Sequence, residues 1–211
     1  IGKDILWDSI LNEKTGLILE DYKIDNENLE SYYVHRLKGF NIESFGIDKS
    51  VIQDIRTWKG QEVATDLFYL LAVVKLALDD SKINYRDVNE SKKIGLVLTH
   101  ENPGLEQFYE EVINETYDLL STNGKKPISK KDYFWEYYRR FEKRGYELQT
   151  FMLPYHVAKA FNIHGYSVFL CNACASGLFA FEAATDIIRS GKCDSVIVAG
   201  SDYTSIFKYL W

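Results

Sequence analysis

The stretch Tyr166 to Phe181, reading Y-S-V-F-L-C-N-A-C-A-S-G-L-F-A-F, constrains this chain more than any other. Val168 to Leu170 have the β-branched and aromatic content of a buried strand, bounded by Gly165 and Asn172. From Ala175 the spacing changes, and Leu178, Phe179, Phe181, Ala183, Ala184, Ile187 and Ile188 cover most of a helix surface. Gly191 supplies the stop just past its last turn. Cys174 therefore falls at a strand-to-helix turn, at the N-terminal end of a helix expected to be buried. Unpaired N–H groups and the positive end of the helix dipole favour a thiolate there, and the thiolate is the nucleophilic form. Ala175, Ser176 and Gly177 are small, so backbone amides can come close to a reacting carbonyl and hold its developing charge. Cys174 is the candidate catalytic nucleophile.

Two further cysteines need separate readings. Cys193, between Lys192 and Asp194, and Cys171, at the strand end, are expected to pack as small hydrophobes, the commonest fate of a free thiol. Cys171-Asn-Ala-Cys174 also matches a C-x-x-C redox pair. In redox dithiols the first cysteine opens the helix, whereas here the break falls at the second, so the redox reading ranks last.

Cys174-Ala-Ser-Gly-Leu, then Ala183-Ala184, Ile187-Ile188-Arg189-Ser190-Gly191 and Asp194-Ser-Val-Ile-Val-Ala-Gly-Ser201, resemble the nucleophile region of the β-ketoacyl synthases, a family of the thiolase fold. Ser201 stands where that family commonly has a second glycine, and Asn172 where it has serine or threonine. The resemblance implies an α/β fold: the N-terminal half of a three-layer thiolase-like fold, with a mostly parallel sheet covered by helices. Residues 1–211 would form the nucleophile-bearing domain of a synthase, cut short at both ends; the strand and glycine turn that usually precede a helix like that around Trp7 and Leu11 are absent. Cys174 would take an acyl chain from a carrier thioester, for attack by the carbanion of a decarboxylating malonyl thioester in fatty acid or polyketide synthesis. The partners implied are an acyl carrier protein, whose phosphopantetheine carries the substrate, and a second synthase-like chain in a homodimer or heterodimer. No cofactor and no metal are implied. A complete synthase has a second half that supplies catalytic histidines, and none of His35, His100, His156 or His164 matches those motifs. The alternatives are a thiolase or other coenzyme A-dependent acyltransferase of the same fold, and a non-catalytic half-synthase serving as scaffold or heterodimer partner.

The rest of the chain fits an α/β domain. Its 211 residues are 46% hydrophobic, enough for one sizeable core. A net charge of −6 disfavours general nucleic-acid binding, and three cysteines without framework spacing point to a reducing, cytoplasmic setting. No apolar run reaches the length of a membrane span. Residues 4–13 read as a helix with Ile5, Leu6, Ile10 and Leu11 on one face; residues 20–60 lack a clear period and read as loop with short helices. Residues 62–79 make a helix with almost no polar face, expected to be buried on most sides, and Ile94 to Leu98 a strand covered on both faces. His100-Glu101 follows that strand, where the family commonly has a glycine- and threonine-rich turn. An acid/base pair is one reading; a loop histidine capping the next helix, Gly104 to Leu120, is preferred. In residues 125–144, Lys and Arg interleave with Tyr, Phe and Trp. A packing face at Phe134, Tyr138 and Phe141 is preferred there to stacking on single-stranded nucleic acid, and the resemblance adds steering of an acidic carrier protein. Pro154 to Phe161 is a further helix.

Overall fold

A computed structural model describes residues 2–24, 27–35, 37–56, 64–100, 104, 107–108, 112, 129–131, 135, 146 and 149–202. The described residues divide into a small unit up to Asn41 and a large one that starts at Ile42.

The small unit opens with helix α1, Lys3–Leu11, closed by Asn12, whose side-chain amide donates to the Asp8 carbonyl and carboxylate, both at 2.8 Å. Ile5, Leu6, Trp7, Ile10 and Leu11 are all exposed. Strands β1, Leu17–Ile24, and β2, Glu27–His35, follow as an antiparallel hairpin with Leu17 opposite His35. This corrects the expectation of loop and short helices over 20–60. The alternation is present, but polar side chains carry half of it. Ile18 pairs with Val34 and Glu20 with Tyr32 on the more covered face, while Leu19 and Tyr33 pair on the exposed face. A hydropathy period therefore cancels, and the backbone ladder defines the element.

The large unit begins with a 3-10 turn, Ile42–Phe45, and helix α2, Lys49–Asp54. Asp48 caps α2, accepting from the Ser50 hydroxyl and the Ser50 amide, each at 2.7 Å. The hydroxyl first, and the amide with it, hold this exposed carboxyl below its ordinary value of 3.8. Because the folded value is the lower one, the cap's contribution is complete above 3.8 and is lost as pH falls through the folded value. A carbon-NMR titration is expected to place the Asp48 midpoint below 3.8 and to see it rise in Ser50→Ala; a midpoint at or above 3.8 would contradict the cap.

Helix α3, Thr65–Ser81, buries Leu67, Phe68, Leu70, Leu71, Ala72, Val74 and Leu78 but leaves Val73 exposed, so it has one open side. It stops at Lys82, which takes the left-handed conformation at φ 58°. The short helix α4, Val88–Ser91, capped by Asp87, leads into strand β3, Ile94–Thr99. Helix α5, Met152–Phe161, strand β4, Ser167–Leu170, helix α6, Ser176–Arg189, and strand β5, Ser195–Gly200, complete the unit.

The three strands of this unit form a parallel sheet in the order β4-β3-β5. Thr99 lies opposite Leu170 on one side and Gly200 on the other. β3 is central, and Ile94, Leu96, Val97 and Leu98 are at most 1% exposed, as a strand covered on both faces must be. Alternation sends Val97 toward α6, where it packs with Ala180, Ala184, Ile187 and Cys193, flanked by Val168, Leu170, Val196 and Val198. Leu96 and Leu98 turn to the other face, where α3 packs on β5 and α5 on β3 and β4. β4 is only half-buried, against the expectation of a buried strand, because among the described residues it has a pairing strand on one side only. Helix α6 ends as expected at Gly191, φ 70°, with the Gly191 amide on the Ile188 carbonyl (3.0 Å) and the Lys192 amide on the Ile187 carbonyl (3.1 Å). That pair of bonds is a Schellman ending.

Candidate active site

Cys174 lies where its neighbours predict, one tight turn ahead of the helix. After β4 the chain passes Cys171 and Asn172 into a 3-10 turn, Ala173–Ala175, with Cys174 at its centre, and α6 starts at Ser176. The turn is strained at one point: Ala173 has φ 50°, a left-handed conformation that a side chain bearing Cβ rarely adopts. Three hydrogen bonds hold it. The Ala175 amide donates to the Asn172 carbonyl at 3.2 Å. The Ser176 hydroxyl accepts from the Asn172 amide and donates to the Ala173 carbonyl, each at 2.7 Å. Ser176 therefore straps the turn from inside, a role its small size did not announce. Cys174 is exposed, no side chain caps α6, and a Cβ on Gly177 would meet nothing within 4 Å. The thiol thus stands open beside the first turn of a helix, on a fixed backbone.

The other cysteines separate. Cys193 is buried as expected, its Sγ accepting from the Tyr166 amide at 3.4 Å. Cys171 is exposed, which corrects its assignment to packing: it has already left the sheet where β4 ends at Leu170.

His100 is buried, and its Nε2 lies 2.6 Å from Asp66 Oδ2; most of the helix it was expected to cap lies outside the described residues. The Gly104 amide donates to the same oxygen at 2.8 Å, and the Leu67 amide to Asp66 Oδ1 at 2.8 Å. Ser201 Oγ donates to the Asp66 backbone carbonyl at 2.7 Å. Two of the positions that depart from the family pattern, His100 and Ser201, thus meet on one residue. Sequence reasoning misses Asp66; its signal is an acidic side chain in the first turn of α3, followed by the apolar run Leu67 to Val74. Glu101 and most of 104–120 and 125–144 lie outside the described residues, and with them the readings placed there. Among the other histidines, His35 is in β2, His156 is buried in α5 with its ring edge-on to Tyr155, and His164 bonds Asn162.

The outer side of α6 overturns one more expectation. Leu178, Phe179, Phe181 and Ile188 are exposed, between 46% and 79%, and only the side carrying Ala180, Ala184 and Ile187 is buried in the sheet.

The family model of the β-ketoacyl synthase N-terminal domain matches residues 2–207. This chain belongs to the β-ketoacyl synthase family. The highly reducing polyketide synthase virA of Hypocrea virens is 24% identical over 199 residues, 93% of this chain and 8% of virA. Prosolanapyrone synthase of Alternaria solani is 43% identical over 53 residues, 25% of this chain and 2% of that protein. Among solved structures, the ishigamide ketosynthase/chain length factor superposes with TM-score 0.70 at 14% identity, covering 99% of this chain and 45% of that one. A ketosynthase complexed with its type II acyl-carrier protein gives TM-score 0.56 at 14% identity, over 83% of this chain and 44% of that one. This ketosynthase domain therefore has the thiolase-like α/β fold expected, its parallel sheet flanked by helices, and it spans under half the length of the ketosynthase chains it resembles. Among its described residues no helix is long and apolar enough to cross a membrane, and no cluster of three or more metal-ligating side chains occurs.

Proposed function

We propose that Cys174 is the acyl-accepting nucleophile of a polyketide-type ketosynthase. The observation that carries this reading is an exposed thiol on a strapped turn between the carboxyl end of a parallel strand and the start of a helix. In the first step the Cys174 sulfur attacks the carbonyl of an acyl thioester on carrier phosphopantetheine, and the carrier thiol leaves with a proton. In the second, a malonyl thioester loses carbon dioxide, and its carbanion attacks the Cys174-bound carbonyl, forming the carbon–carbon bond and releasing the thiol. Helix N-terminal amides suit the oxyanion of each tetrahedral intermediate. The relatives that are polyketide synthases favour that pathway over fatty acid synthesis and over a thiolase.

Decarboxylation calls for histidines that this reading assigns to a second synthase-like half. The exposed apolar side of α6 supports such a partner surface, since Leu178, Phe181 and Ile188 lie on one stripe of the helix. A second reading, a half-synthase whose partner performs the chemistry, is favoured by the resemblance to a ketosynthase/chain length factor.

Intact mass after incubation with an acyl thioester or a cerulenin-type epoxide tests the first reading. One adduct per chain, lost in Cys174→Ala, is expected. Absence of an adduct while iodoacetamide still alkylates Cys174 would sink it and leave the half-synthase.

A further inference from the structure

One hydroxyl holds both ends of the segment that turns the chain into Cys174. Ser176 Oγ accepts from the Asn172 amide and donates to the Ala173 carbonyl, each at 2.7 Å. Between those two groups lies the φ bond of Ala173, which stands at 50°, in the left-handed region. Alanine is strained there because of its Cβ, and such a conformation persists only where its surroundings impose it. The Ala175 amide closes over the same bond onto the Asn172 carbonyl, at a longer 3.2 Å.

The peptide joining Ala173 to Cys174 is trans, so its C=O and its N–H point in opposite directions. Ser176, a buried side chain, takes the carbonyl on the inner side of the turn. The Cys174 amide is thereby directed away from Ser176, in a residue that is itself exposed. A carbonyl oxygen that turns negative as sulfur attacks its carbon is best met by a donor already fixed in direction. The direction of this amide follows from φ of Ala173, and the serine hydroxyl restrains that angle from both ends.

We propose that Ser176 is a positioning residue for the acylation of Cys174: by keeping Ala173 left-handed, its hydroxyl aims the Cys174 amide at the oxygen of the incoming thioester carbonyl. This rests on the acyl-accepting role given to Cys174 above. The serine touches no substrate and neither gains nor loses a proton in the step. It acts through the backbone of the residue before the nucleophile.

Acylation of Cys174 by butyryl-pantetheine, followed by intact mass, tests this beside alkylation by iodoacetamide, which develops no oxyanion. Ser176→Ala is expected to lower the saturated acylation rate about ten- to a hundredfold, less than outright loss of an oxyanion donor, with KM and alkylation unchanged. Ser176→Thr keeps the hydroxyl and is expected to restore most of the rate. Ala173→Gly, added to Ser176→Ala, enters the left-handed region freely and is expected to recover about threefold or more. Ala173→Val, with the serine in place, resists that region and is expected to slow acylation as Ser176→Ala does. An unchanged rate in Ser176→Ala or in Ala173→Val overturns the proposal. So does a parallel loss of acylation and alkylation in Ser176→Ala, or no recovery with Ala173→Gly.

The turn is read separately by NMR, because the amide proton and α-proton of one residue lie closest at positive φ. Ala173 is expected to show that strong intraresidue NOE in the wild-type chain and to lose it in Ser176→Ala. A wild-type Cys174 that takes no acyl group sinks the acyl-accepting reading. An Ala173 that keeps its positive φ in Ser176→Ala sinks the role of the serine, whatever Cys174 does.

Discussion

Gly165→Ala is expected to cost about 3 kcal/mol or more, enough to unfold a domain of ordinary stability. Gly165 precedes β4 at the point where the chain crosses the start of β3, and a Cβ there would fall onto the carbonyl group of Ile94. Backbone, not a movable side chain, stands in the way. Relief would pull β4 from β3, whose ladder starts one residue on with the Leu96 amide donating to the Tyr166 carbonyl at 2.9 Å. Gly177→Ala is the control, because a Cβ there meets nothing and alanine is the better helix former by about 0.5–1 kcal/mol. Urea denaturation of both variants checks the pair. Equal stabilities would mean that β3 and the Gly165 segment are not in this register.

The second large effect is at Asp66. Asp66→Ala leaves the Leu67 and Gly104 amides and His100 Nε2 without their acceptor inside the protein, for a loss of about 3–5 kcal/mol. Asp66→Asn is informative because only one of its two side-chain atoms accepts. Whichever way the amide is turned, its NH2 confronts either the Leu67 amide or the Gly104 amide and His100, so about 1–3 kcal/mol is lost even without a change of size. Ser201→Ala removes one hydrogen bond to the Asp66 carbonyl and is expected to cost about 1 kcal/mol. Thermal melts in which Asp66→Ala does the most damage, Asp66→Asn less and Ser201→Ala the least would support the network. A harmless Asp66→Asn would show that the carboxyl is not the acceptor of all three donors.

Much of the site was legible because it is local. The run Ile94 to Leu98, the helix begun after Ala175, its end at Gly191 and the turn at Cys174 each depend on neighbours within a few residues, where side-chain period and glycine placement speak directly. The failures depend on distance along the chain. His100 and Asp66 are 34 positions apart, and neither residue's neighbours indicate the other. The hairpin of β1 and β2 hides because Glu20 and Tyr32 occupy the covered face beside Ile18 and Val34. The exposure of Cys171 and of the Leu178 side of α6 depends on what lies beyond the helix and strand, which apolar spacing within them does not encode.

The central position of β3 has a consequence for the newborn chain. Its partners come late: Leu96 waits for Ser167, 71 positions on, and Ile94 for Ser195, 101 positions on. At a synthesis rate of about 5–20 residues per second, roughly 4–14 s pass before the first partner is even made. Throughout that interval the most apolar strand of the molecule has both edges unpaired and both faces bare. Slower translation between residues 100 and 167 lengthens that exposure and is expected to lower yield in the cell, whereas sheltering this segment on the ribosome is expected to raise it.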